Sequence, residues 1–187
     1  MARSRNVWGI DIGKCGLKAL RCSRSSDSEK LVVDAFDYIE YPMLLTQPEA
    51  DPGELVRDAV EEFLSRNDVV GDTIAVSVPG QAGLSKFIKL PPVEASKIPD
   101  IVTYEARQQI PFPLEQVIWS WQRLEGGIEE SGFVIDAEIA LFAMKRDQVE
   151  KAIEPFKDAD IEIDILQLSP VSLANLVMLS LIHISEP

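Results

Sequence analysis

Val7-Trp8-Gly9-Ile10-Asp11-Ile12-Gly13-Lys14-Cys15-Gly16-Leu17-Lys18-Ala19-Leu20 decides how the rest of the chain reads. Val7 to Ile12 is β-branched and aromatic, stops at Gly13, and so reads as a buried strand. Gly13-Lys14-Cys15-Gly16 makes a turn, and Leu17 to Cys22 alternates as a returning strand. Glycines at such a turn let backbone N–H groups approach phosphate oxygens closely. Lys14 and Lys18 can add positive charge there. Asp11, at the end of the first strand, can hold magnesium through water, the usual mode for a cation that dehydrates reluctantly. Spacing alone also leaves open a plain hairpin with a glycine turn.

Outward from this stretch, Ser23 to Ser28 reads as a polar turn and Leu31 to Tyr41 as a third strand, which completes an antiparallel meander. After a loop punctuated by Pro42, Pro48 and Pro52, Leu55, Val56, Ala59, Val60, Phe63 and Leu64 recur at the helical period. Asp51-Pro52 suits the start of that helix. Thr73 to Val78 is a strand that stops at Pro79-Gly80. Leu84 to Leu90 reads as a strand before Pro91-Pro92. Ile98 to Ile110 reads as a helix ended by Pro111-Phe112-Pro113, since proline cannot continue it. Val117 to Leu124 and Phe133 to Met144 read as strands flanking Gly126-Gly127. Asp147 to Ala159 is helical, with a kink or early end expected at Pro155. Ile161 to Leu166 is a strand, and Ser169-Pro170 opens a last helix with Ser169 as N-cap.

The chain has 187 residues, with 18 Lys and Arg against 31 Asp and Glu and a formal net charge of −13. Phosphate grooves need clustered basic residues, so a nucleic-acid partner is not expected. At 46% hydrophobic and 26% charged residues, the composition is globular rather than disordered. Positive charge gathers in residues 1–24, where six basic residues face a single acid, Asp11. That edge would attract an anion, although a solvated terminus explains Arg3 and Arg5 equally well. Two cysteines form no secreted disulfide framework, and no signal peptide opens the chain. Cys15 reads as a small turn filler. The acidic pairs Glu61-Glu62, Glu129-Glu130 and Asp158/Asp160 read as solvated surface, and Trp119 with Trp121 as sheet packing. No Walker A loop, GxGxxG, HExxH or nucleophile elbow is present. The stretch between Asp164 and Glu186 is uncharged but carries Gln167, Ser172, Asn175 and Ser180, too polar for a membrane span. Residues 179–187 resemble translated sequencing-adapter sequence, so an artefactual tail is expected there and His183 receives no role.

D-I-G-x-x-x-x-K-A at 11–19 resembles the first phosphate loop of the actin-like ATPase superfamily. Five segments in register resemble the PilM family of type IV pilus assembly proteins. They are W-G-I-D-I-G…L-K-A-L at 8–20, I-A-V-S-V-P-G at 74–80, K-L-P-P-V at 89–93, E-A-R-Q-Q-I-P-F-P-L-E at 105–115 and L-S-P-V-S-L-A-N at 168–175. The resemblance implies an α/β fold: an actin-like, ribonuclease-H-like core subdomain from residues 6–80 and 136–178, with a small α/β subdomain inserted at 81–135.

It further implies ATP and magnesium as cofactors. Gly13, Lys14, Cys15, Gly16 and Lys18 would serve the phosphates and Asp11 a magnesium-bound water, with no catalytic residue assigned. The implied role is an ATP-binding scaffold at the cytoplasmic face of the inner membrane, within a pilus, type II secretion or competence platform, and at most a slow ATPase. Its partners would be other platform proteins and the N-terminal peptide of a PilN-like membrane protein, held between core and insert, with Ile110, Pro111, Phe112 and Pro113 as candidate contacts. The second acidic strand of the superfamily has no counterpart after Asn175, so this chain alone is expected to be inactive and to bind nucleotide poorly. A sugar-kinase-like phosphotransferase fragment and a nucleotide-free peptide-binding module are the alternatives.

Overall fold

The computed structural model describes residues 6–24, 31–124, 126–130 and 132–184, with residues 179–184 described by backbone alone. Most of the Ser23 to Ser28 turn, Arg3, Arg5 and the end of the expected tail therefore lie outside the described residues. In chain order the elements are β1 (Asn6–Ile12), β2 (Gly16–Arg24), β3 (Leu31–Glu40), α1 (Pro52–Arg66), β4 (Thr73–Val78), β5 (Leu84–Lys89) and β6 (Val93–Glu94). They continue with α2 (Ile98–Gln109), β7 (Val117–Arg123), β8 (Ile128–Glu130), β9 (Phe133–Ile135), β10 (Glu138–Lys145), α3 (Arg146–Asp158), β11 (Ile165–Leu168) and α4 (Ser169–Ile184). Two compact units result: residues 1–80 with 151–187, and residues 81–150.

The first unit is built on a five-stranded sheet of order β11-β4-β1-β2-β3. β1, β2 and β3 are antiparallel neighbours, whereas β4 and β11 run parallel to β1. Strand alternation sends Trp8, Ile10, Ile12, Leu17, Ala19, Ile39, Ile74 and Val76 to one face, where α1 covers them with Val56, Ala59, Val60 and Phe63. Phe156 of α3 joins this core, and the Trp8 and Phe63 rings meet edge to face at 5.0 Å. Asp51 caps α1 by accepting from the amides of Gly53 and Glu54 at 2.9 and 3.1 Å, with Pro52 in the first turn. The opposite face carries Gly9, Asp11, Lys18, Leu20, Ala75, Ser77 and Gln167, and it holds the candidate site.

The second unit has its own core, in which Val102 and Ala106 of α2 pack with Val117, Ile139 and Leu141. Here the structure departs from the expected boundaries. Phe133 to Met144 is not one strand: Asp136 adopts φ 56° between β9 and β10, and the two halves enter different sheets. β10 pairs with β5 and β7, so it belongs to the second unit rather than to the core assigned from residue 136.

Two smaller corrections concern the return to the first sheet. α3 runs through Pro155 without ending, and the proline is buried beside Phe156. The strand expected at Ile161 to Leu166 begins only at Ile165. Before it, Asp164 bonds Ile74 twice, its carboxylate accepting from the Ile74 amide at 2.8 Å and its amide donating to the Ile74 carbonyl at 3.0 Å. Ile161 and Ile163 pack against the core from outside the ladder.

Candidate functional site

Parallel strands end on the same side of a sheet, so β1, β4 and β11 bring their C-terminal ends together. In register, Asp11 stands opposite Lys18 on one side and Ser77 on the other, and Ser77 stands opposite Gln167. Ser169 follows β11 directly as the first residue of α4. Three side chains from three segments, Lys18, Ser77 and Ser169, thus meet at one carboxylate.

That carboxylate is gripped at one oxygen. The Ser77 hydroxyl donates to Asp11 Oδ1 at 2.5 Å. Ser169 Oγ lies 3.2 Å from the same oxygen and 2.9 Å from the Val78 carbonyl, and its single proton serves one of them at a time. Among the described residues Asp11 Oδ2 has a single ion-pair partner, Lys18 Nζ at 3.9 Å, with the Asp11 side chain 39% exposed. An ion pair that long and that exposed contributes little by itself, so Oδ2 stays open to a ligand. Ser169 was expected to act as an N-cap; its hydroxyl instead points back into this cluster.

The turn before β2 is pinned from behind. Tyr41 donates its amide to the Cys15 carbonyl at 3.0 Å, and Leu45 donates to the Lys14 carbonyl at 2.9 Å. Across the turn the Gly13 amide donates to the Gly16 carbonyl at 3.1 Å. The amides of Lys14 and Cys15 have no hydrogen-bond acceptor among the described residues. A Cβ on Gly16 would sit 2.6 Å from the Ile39 carbonyl oxygen, so only glycine allows β3 to approach this closely. The Lys14 and Cys15 side chains are both exposed. Beneath the turn the Tyr41 hydroxyl is buried and has no hydrogen-bond partner among the described residues. Burial, then the nearby Asp11 and Cys15, push its pKa well above the ordinary range.

Asp11 and Gly9 line two hollows on this face. One, of about 280 Å³, is bounded by Ser77, Gln167, Ser172 and Ile165. The other, of about 500 Å³, is bounded by Lys18, Leu20, Phe36 and Tyr38. The absent side chain at Gly9 leaves space in both. No group of three or more His, Cys, Asp or Glu that could cage a metal occurs among the described residues. The donor set at Asp11 therefore fits a cation held mainly by water and by a bound ligand's oxygens, as magnesium is. The two open amides, with Lys18 beside them, fit an anion.

Gly13, Lys14, Cys15, Gly16, Lys18 and Asp11 are thus brought together. Ser77 and Ser169 were missed as site residues. Ser77 carries one available signal, a lone hydroxyl on the outward phase of I-A-V-S-V. Of the proposed partner segment, Ile110 is buried in the second core and caps α2. Pro111, Phe112 and Pro113 are exposed, with Lys145 Nζ 4.2 Å above the Phe112 ring. Glu62, Glu129 and Asp158 pair with Arg66, Arg123 and Arg57, as surface acids do.

A family model described as type IV pilus assembly protein PilM matches residues 9–182. No curated protein matches the sequence significantly. Among solved structures, a PilM–PilN type IV pilus biogenesis complex aligns with a TM-score of 0.65 at 19% identity, covering 90% of this chain and 48% of that one. The cytoplasmic domain of EpsL, an inner-membrane component of the type II secretion system of Vibrio cholerae, aligns with a TM-score of 0.50 at 10% identity, covering 87% and 57%. At these identities the likeness is one of fold, and the chain spans about half the length of the solved chains it matches. The mixed α/β fold is the actin-like one implied by the phosphate-loop resemblance. With the family match running over most of its length, the chain belongs to the PilM family of type IV pilus assembly proteins.

Proposed function

We propose that Asp11 and the Gly13–Gly16 turn form the phosphate and magnesium wall of an ATP site in an actin-like pilus assembly scaffold. One observation carries the reading: Ser77 and Ser169 hold Asp11 Oδ1, while Oδ2 faces outward beside Lys18 and two amides without acceptors. The amides of Lys14 and Cys15 and the Lys18 ammonium would hold phosphate oxygens, and Asp11 Oδ2 a water of the metal. Magnesium, when bound, supplies neutralisation of phosphate charge. The role is binding rather than chemistry, and nucleotide biases the conformation of a scaffold. Its partner is an extended N-terminal peptide of a PilN-like membrane protein at the cytoplasmic face of the inner membrane. Pro111, Phe112 and Pro113 are candidate contacts. No helix among the described residues is long and apolar enough to cross a membrane.

Magnesium–ATP titration, followed by calorimetry, of a protein in which this chain is joined to the second half of the nucleotide cleft tests the site. Lys18→Ala is expected to weaken binding about tenfold, the loss of one charge-assisted phosphate contact. Equal affinity in parent and variant, or no saturable binding in either, assigns the hairpin a structural role only. Titrating a PilN-like N-terminal peptide in the same instrument is the second readout, and absence of saturation removes the partner claim.

A further inference from the structure

β3 stands at the sheet edge, with β2 on one side and no described strand on the other. It is ten residues long and exposed along most of its length. A free row of N–H and C=O groups of this length templates pairing with another chain, which is why edge strands are commonly short or guarded by lysine or proline. Neither residue occurs in β3. Its register sets Leu31, Val33, Phe36 and Tyr38 opposite Arg24, Cys22, Leu20 and Lys18, all on the outward phase of β2. A bulge at Asp34 keeps Val33 and Phe36 on one face although they are three residues apart. Phe36 is 81% exposed and Val33 57%. The Tyr38 amide donates to the Asp37 carboxylate at 2.8 Å, so that one N–H of the strand is already satisfied and the remaining groups carry the pairing.

Charge identifies the occupant. From Leu31 to Glu40 the strand has three acids and no base. Asp37 is engaged by Arg66 and Asn67, while Asp34 and Glu40 form no salt bridge among the described residues. We propose that the free edge of β3 receives an extended basic segment of a partner protein, alternating lysine or arginine with β-branched or aromatic residues. Main-chain bonds to the edge bind the strand, Val33, Phe36 and Tyr38 pack its apolar side chains, and Asp34 with Glu40 select positive charge. A second copy of this chain fits worse, because it brings three more acids to an edge that already holds three.

The test uses a short fluorescent peptide alternating valine and lysine, titrated into the protein by anisotropy at physiological salt. Saturable binding is expected, weakened about tenfold or more by Phe36→Lys, a change at a side chain that supports no core. Asp34→Lys with Glu40→Lys should transfer preference to a valine–glutamate peptide. The charge-matched control Asp58→Lys with Glu61→Lys, on α1, should bind as the parent does. Absence of binding, equal binding by Phe36→Lys, or an equal loss in the α1 control overturns the proposal. So does a dimer in sedimentation that Phe36→Lys dissolves, which would make a second copy the occupant.

Discussion

Replacing Gly16 with alanine is expected to destabilise the first unit, whereas the same change at Gly9, in the same hairpin, is not. The Gly16 Cβ would lie 2.6 Å from the Ile39 carbonyl oxygen, 2.8 Å from Tyr38 Cε2 and 3.3 Å from Glu40 Cα. Two of these three neighbours are backbone of β3, held by its ladder with β2 and by the Tyr41 amide on the Cys15 carbonyl. Relief therefore requires the strand to move, not a rotamer to turn. Overpacking of that kind costs about 1–3 kcal/mol. For a chain of this size, a loss near 2 kcal/mol lowers the melting temperature by about 4–8 °C. At Gly9 the nearest atom to a new Cβ is the Leu20 carbonyl oxygen at 3.9 Å, an ordinary contact. Alanine there restricts the unfolded chain and stabilises by roughly 0.4–1 kcal/mol. Thermal unfolding followed by circular dichroism, with urea titration as a second measure, separates the two. A Gly16→Ala protein melting at or above the parent would refute the close approach of β3. A Gly9→Ala protein losing as much as Gly16→Ala would refute the division of labour between the two glycines.

The buried Tyr41 hydroxyl, with no hydrogen-bond partner among the described residues, gives two linked expectations. Tyr41→Phe removes a desolvated polar atom and should stabilise by about 1 kcal/mol. Because the folded pKa lies above the unfolded value of about 10, the neutral phenol is favoured in the folded state. Its contribution is complete below that pH and is lost as pH rises further. Urea midpoints of parent and Tyr41→Phe should therefore diverge further above pH 10, and parallel curves there would contradict the burial. Ser77→Ala and Ser169→Ala should each cost about 1 kcal/mol. Their double variant should fall short of the sum, since both hydroxyls serve Asp11 Oδ1. Strict additivity in a urea-based double-mutant cycle would show that they do not share it.

Local pattern made much of the fold legible. The β-branched run before Gly13 and the alternation after Gly16 were enough to place β1 and β2. The helical period from Leu55 to Leu64 behind Asp51-Pro52 placed α1. These signals are short-ranged, arising from steric preference and from the phase of burial within a few residues. The same phase put Asp11 at a strand end beside a glycine turn, and the resemblance of D-I-G-x-x-x-x-K-A to the actin-like phosphate loop is what named it a candidate. Pro155 shows the limit of propensity: tertiary burial beside Phe156 outweighs its helix-breaking tendency.

What the sequence by itself determined is which residues are inward, where the chain turns, and that an acid closes β1 before a glycine-bounded turn. What only the tertiary structure decided is which distant segments meet there. The partners of β10, the start of β11 at the Asp164–Ile74 bridge, and the arrival of Ser77 and Ser169 at Asp11 all join residues tens to more than a hundred positions apart. No local period encodes such a meeting. It follows from parallel pairing of β1, β4 and β11, which aligns their ends and turns two ordinary serines into the clamp on one carboxylate oxygen.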